Sequence, residues 1–148
     1  MSLQNLGVEF SSTIYRLNRA INDRYQQLMR AEGLTDVRPS VGVVLLPLLE
    51  EQGQTISSLA QALHMKVPTV TVIANRLEQQ GWIKRERGEE DRRKVRLYLT
   101  ESGRRVAEVM MRVRRKTLQT MTAGIDREKM AIARELMEQA YTNLKKKA

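Results

Sequence analysis

Cysteine is absent from the 148 residues, and histidine occurs once, as His64. The first absence removes thiol nucleophiles, Cys-ligated zinc, iron–sulfur clusters, disulfide frameworks and thiol-based oxidation sensing together. The second leaves a His-rich metal site or a Ser-His-Asp triad almost nothing to build from. A long hydrophobic run is also missing. The longest apolar stretch, Val41–Leu49, is interrupted by Gly42 and Pro47 and falls far short of the ~20 residues a membrane span needs. The opening MSLQNLGVEF lacks a basic region followed by an apolar core, so no signal peptide is expected. Paired carboxylates such as Glu89-Glu90 have no partner base beside them. The expectation is a cytoplasmic protein that is not an enzyme, with no catalytic residue, no metal, no cofactor and no membrane partner.

What is present describes a folded domain: 41% hydrophobic and 29% charged residues. A chain this long buries about two-thirds of its unfolded surface, so it needs no covalent staple. Its net charge of +9 is unevenly placed: residues 1–65 carry −1, residues 66–116 carry +8 and residues 117–148 carry +2. A basic segment embedded in patterned sequence is the electrostatic footprint expected for a polyanion. A solvated face rich in Arg is the plainer reading of the same charge.

Residues 3–31 read as a long amphipathic helix, with Leu6, Phe10, Ile14, Leu17, Ile21 and Leu28 on one stripe. Gly33 ends it, and Asp36 and Pro39 open a second helix over the buried run 41–49, where Pro47 is expected to kink the last turns. Gln54-Thr55-Ile56 is extended, and Ser57 is expected to cap a third helix, residues 58–64. A fourth helix, residues 67–80, turns Val70, Ile73, Ala74 and Leu77 inward. Residues 82–87 and 94–99 alternate at period two around a polar tip, 88–93. They form a hairpin with one face on a core and one basic face in solvent. Thr100 caps a fifth helix to about residue 123, lined by Val106, Val109, Met110, Val113 and Met121. Asp126 caps a sixth, with Met130, Ala133, Met137, Tyr141 and Leu144 on one side.

Two helices joined by a tight turn, then a basic hairpin, make a helix-turn-helix with a wing. The outward face of the fourth helix is Pro68, Thr69, Thr71, Val72, Asn75 and Arg76. Small and hydrogen-bonding residues are what a helix in the DNA major groove needs, because base edges must come close. An unpartnered surface helix would more usually show Glu, Lys and Gln. At the hairpin, Arg87, Arg92 and Arg93 sit on a ribbon narrow enough for a minor groove, with Asp91 beside them to orient a neighbouring arginine. His64 reads as a capping or packing residue, and the eight methionines as core and dimer packing. Trp82 reads as packing the base of the wing. The cluster Arg112-Arg114-Arg115-Lys116 reads either as a phosphate contact or as a solvated face, and Lys145-Lys146-Lys147 as a frayed basic end. Arg16 and Arg19 suit either an acidic ligand or a surface salt bridge.

Residues 54–63, QTISSLAQAL, resemble the "t-i-x-x-L-A-x-x-L" segment of the MarR family of bacterial winged-helix regulators. Residues 70–81 resemble that family's "V-T-x-x-x-x-x-L-E-x-x-G" recognition helix. Asp91-Arg92-Arg93 followed by Leu97-Tyr98-Leu99-Thr100-Glu101-Ser102-Gly103 is similar to its wing signature. The resemblance implies a mainly α fold with a small β-wing. It places a winged helix-turn-helix lobe at 37–100 and dimerisation helices at 1–36 and 101–148. It implies a homodimer on double-stranded DNA, with the recognition helix in the major groove and Arg93 as the wing arginine. Leu6, Phe10, Ile14, Leu17, Met137, Tyr141 and Leu144 are then dimer-interface residues. The family's usual activity is repression of transcription, relieved by a small aromatic or phenolic ligand or by cysteine oxidation, and the second route is closed here. A winged-helix module that binds protein instead of DNA is the competing reading; loss of basic residues from the wing would favour it.

Overall fold

The computed structural model describes residues 2–35, 37–87 and 95–146, so Met1, Asp36, residues 88–94, Lys147 and Ala148 lie outside it. It resolves into two compact units, Met1–Thr117 and Leu118–Ala148. Helix α1 (Leu3–Ala31) starts where the Ser2 hydroxyl accepts from the Asn5 amide at 3.3 Å. It stops where Gly33 turns left-handed (φ +79°) and the Leu34 amide donates back to the Met29 carbonyl at 3.0 Å. That closure satisfies carbonyls the helix end would otherwise orphan. Tyr25 and Met29 near its C-terminal end are buried, while every side chain from residue 4 to residue 20 is exposed.

A single 3-10 turn at Pro39–Val41 leads into α2 (Gly42–Glu50), which buries Val44, Leu45, Leu46 and Leu48. The helix runs on through Pro47 to Glu50, and the Pro47 carbonyl accepts from the Glu51 amide at 2.9 Å. Strand β1 (Gln54–Thr55) follows, then α3 (Ile56–Ala62). The cap of α3 is Thr55, two residues before the expected Ser57. Thr55 Oγ1 accepts from the Ser58 amide at 3.1 Å, and Ser58 Oγ accepts from the Thr55 amide at 3.0 Å. Ser57 has no such option, because the residue three further on is Ala60, which has no oxygen to return the bond.

Helix α4 (Val67–Gln79) precedes strands β2 (Ile83–Arg87) and β3 (Val95–Leu99), then α5 (Glu101–Thr122) and α6 (Arg127–Lys145). The antiparallel sheet is ordered β1-β3-β2, with Gln54 opposite Leu97 and Ile83 opposite Leu99. Ile83, Leu97 and Leu99 point into one core with Leu59, Val70, Leu77, Val106 and Met110. Helix α6 opens on Asp126, whose carboxylate accepts from the Lys129 amide at 2.8 Å, and it buries no residue.

Candidate nucleic-acid interface

The turn before α4 decides how that helix leaves the core. His64 adopts φ +52°, a left-handed conformation uncommon outside glycine, for which His is among the more tolerant residues. Its amide donates to the Gln61 carbonyl at 3.2 Å, and the Met65 amide donates to the Ala60 carbonyl at 2.9 Å. Its side chain is exposed, so the residue acts through its backbone and not through packing. Lys66 is then extended and Pro68 occupies the first turn of α4, where its fixed φ suits a helix start.

Val70, Ala74 and Leu77 bury the inner face of α4, and Ile73 is half-buried. The opposite face carries the residues expected there. Pro68, Thr69, Val72, Asn75 and Arg76 are exposed, and Thr71 is half-buried. Val72 is 65% exposed, an apolar side chain left in water on a helix whose other face is fully packed. The Thr71 hydroxyl donates to the Val67 carbonyl at 2.8 Å, which spends its proton and leaves its methyl and oxygen lone pairs.

The strands hold this helix from the side. Arg85 alternates with Ile83 on the inner face of β2, and its guanidinium reaches α4. One terminal nitrogen lies 2.7 Å from the Glu78 carboxylate and the other 2.6 Å from Asn75 Oδ1. The sequence reading missed this contact. The available signal was an arginine two residues after Ile83, and so on the same face of the strand as that apolar residue.

The outer face of the sheet is less uniformly basic than alternation predicted. Lys84 pairs with Glu86 at 2.6 Å and lies 6.0 Å from the Tyr98 ring centre. The hydrogen bond to Glu86, reinforced by that carboxylate's charge, holds the Lys84 ammonium above the ordinary lysine range. Arg96 donates to the Gly53 carbonyl at 2.7 Å and so braces β3 against the start of β1. Arg87 ends β2 exposed, opposite Val95. Asp91, Arg92 and Arg93 lie outside the described residues.

The residues expected at a dimer interface are exposed in the single chain. Leu6, Phe10, Ile14 and Leu17 line the first part of α1, and Met137, Tyr141 and Leu144 stand on α6 with Ile132 and Leu136. Arg19 pairs with Asp23 at 3.8 Å, and Arg16 reaches the Thr13 hydroxyl at 3.4 Å. Arg112 pairs with Glu32 at 3.1 Å, which ties α5 to the end of α1.

A cleft of about 340 Å³ opens between α1, α2 and α5, lined by Ile21, Tyr25, Val43, Leu46 and Pro47, with Asn22 and Arg114 as its polar groups. Burial pushes the Tyr25 hydroxyl up to about 12, against the opposing pull of the Arg114 charge. Among the described residues no three His, Asp or Glu side chains gather as a metal site would require.

The MarR family model matches residues 39–95. The HTH-type transcriptional regulator TtmR of Methylorubrum extorquens (strain PA1) is 32% identical over 101 residues, covering 68% of this chain and 50% of that protein. The organic hydroperoxide resistance transcriptional regulator of Bacillus subtilis (strain 168) is 33% identical over 103 residues, 70% of this chain and 66% of that protein. The chain thus spans about half the length of the first relative and just under two thirds of the second. The solved structure of reduced AbfR bound to DNA superposes with a TM-score of 0.71 at 29% identity, covering 95% of each chain.

Proposed function

The chain belongs to the MarR family, and from that premise we propose that it is a DNA-binding transcriptional repressor acting as a homodimer on a pseudo-palindromic operator. The observation that carries the reading is the outward face of α4. It offers the methyls of Thr69, Thr71 and Val72, the amide of Asn75 and the charge of Arg76, with no acidic side chain among them. Such a face is a poor solvent surface and a good major-groove surface. The +8 charge of residues 66–116 supplies the phosphate attraction that brings it there.

In this reading residues 37–100 are the DNA-binding lobe, with Arg87, Asp91, Arg92 and Arg93 its wing contacts. Residues 1–36 and 101–148 carry dimerisation. Leu6, Phe10, Ile14 and Leu17 form a stripe at steps of three and four, the geometry that packs against a second helix. The protein acts in the cytoplasm, where its DNA is, and carries no catalysis of its own. Among the described residues no helix is long and apolar enough to cross a membrane. The cleft beside Tyr25 and Arg114 is where a small aromatic acid would dock and bias the dimer toward release.

Selection of bound duplexes from a random DNA pool tests the reading. The expected product is a two-fold symmetric site with half-sites about one helical turn apart, bound more weakly as salt rises. Failure to enrich any symmetric sequence would overturn it.

A further inference from the structure

Building on the DNA-binding reading above, we propose that Arg85 is a positioning residue of the interface. It fixes the side-chain amide of Asn75 as a hydrogen-bond donor, and so sets which base α4 reads at one position of each half-site. The argument starts from the strand. Arg85 stands opposite Leu97, which is fully buried, and on the same face as buried Ile83. A long cation at such a position has to leave the core, and its side chain is 27% exposed where it does so. It leaves toward α4, where Asn75 and Glu78 lie three residues apart and therefore on one face. The planar guanidinium engages both at once, one nitrogen on each, which an ammonium's point charge does not reproduce.

A guanidinium only donates. The Asn75 atom 2.6 Å from it is therefore the carbonyl oxygen, and the orientation of the amide is fixed by chemistry. This matters because asparagine in the major groove reads adenine bidentately: Oδ1 accepts from the N6 amino group while Nδ2 donates to N7. With Oδ1 held by Arg85, an adenine amino group approaching it meets an N–H donor and a positive charge already in place. What remains is the NH2 group, a donor that suits guanine N7 and O6 or thymine O4. Glu78 completes the device. Its carboxylate, 2.7 Å from the other end of the guanidinium, holds Arg85 on the helix against the pull of a nearby phosphate.

The consequence is that a residue of the wing sheet, not itself on the outward face, edits the reading of the recognition helix. A purely structural clamp would change affinity for all sequences alike. A positioning residue changes preference at one symmetric pair of positions.

Three variants separate these cases, each assayed on the selected operator and on duplexes with every half-site position substituted in turn. Asn75→Asp keeps the acceptor for Arg85 and removes the donors. It should lose about tenfold of the preference for guanine or thymine at one position per half-site, with the other positions unchanged. Arg85→Ala frees Oδ1 and should shift that same position toward adenine while leaving the slope of affinity against salt unchanged. Arg85→Lys should behave like Arg85→Ala, because charge without the fork cannot hold both partners. Circular dichroism and thermal melting check that each variant folds; should Arg85→Ala not fold, Arg85→Lys takes its place beside Asn75→Asp. An unaltered preference profile in Asn75→Asp overturns the proposal. So does a uniform loss across all duplexes in Arg85→Ala, or a lower salt slope, which would make Arg85 a phosphate contact. If the parent chain enriches no sequence, the DNA-binding reading falls and this proposal with it. If the parent enriches a site and the variants match it, only the proposal falls.

Discussion

A β-carbon built on Gly103 would stand 1.8 Å from the backbone carbonyl oxygen of Trp82. The first turn of α5 thus rests directly on the residue that leads into β2, and the contact is backbone, which cannot swing aside. Around it the Thr100 amide donates to that same carbonyl at 3.0 Å, and the Thr100 hydroxyl donates to the Gly81 carbonyl at 2.6 Å. The joint locks the long helix to the sheet by hydrogen bonds onto main-chain carbonyls. Gly103→Ala should therefore destabilise the fold by about 3 kcal/mol or more, at the upper end of overpacking costs. Urea unfolding at fixed protein concentration measures this, and an unchanged midpoint would contradict the packing described.

The joint also marks the limit of what local pattern reveals. The inner face of α4 was legible because Val70, Ala74 and Leu77 obey a helical period, and the strands because Ile83, Leu97 and Leu99 obey a period of two. Local pattern does not choose between Thr55 and Ser57 as the cap of α3, since both carry a hydroxyl two positions apart, and the reciprocal bond from Ser58 decides for Thr55. Arg85 was invisible for a different reason. Its partners, Asn75 and Glu78, lie on another element, and a strand rich in charge on both faces hides which arginine turns inward. Gly103 carried no local conformational signal, since its constraint is steric and comes from a residue far away in sequence.

Oligomeric state is the next expectation. Phe10 and Ile14 on α1, and Tyr141 and Leu144 on α6, leave 38–87% of their surface exposed in one chain. Stripes of this kind on long helices are typical of obligate, mainly apolar interfaces. The protein should sediment as a dimer at micromolar concentration, and Ile14→Asp should both dissociate and destabilise it, because fold and assembly are linked. A well-folded monomer of the parent chain at that concentration would refute the assignment.

The two halves of the proposed DNA interface should fail differently. Val72 offers only methyl groups, so Val72→Ala should alter preference within the half-site, at a thymine position, and leave the salt slope nearly unchanged. Arg93→Ala should weaken binding by about 1–3 kcal/mol and flatten preference at flanking A·T steps, where a narrow minor groove concentrates negative potential. Fluorescence anisotropy on a panel of duplexes at several salt concentrations resolves the two patterns. Parent-like affinity of Arg93→Ala on every duplex would remove the wing from the interface.

Release from DNA is the last expectation, and it follows from what the cleft holds and what the chain lacks. Without cysteine, peroxide has no thiol to oxidise, and methionine oxidation is slow and poorly addressed as a signal. The cleft offers the aliphatic walls of Ile21, Val43 and Leu46, with Arg114 at hand for a carboxylate. With its hydroxyl pushed up to about 12, Tyr25 stays protonated through neutral and mildly alkaline pH, so it remains a donor. An aromatic carboxylate should therefore lower operator affinity 5–150-fold, the usual range of such coupling, with a response that is flat between about pH 7 and pH 9. Arg114→Ala should abolish the response to the acid while sparing operator binding in its absence, and mild peroxide should have no effect on the parent. Release by peroxide at doses that leave every methionine intact, read by mass spectrometry alongside the binding assay, would overturn this account of the switch.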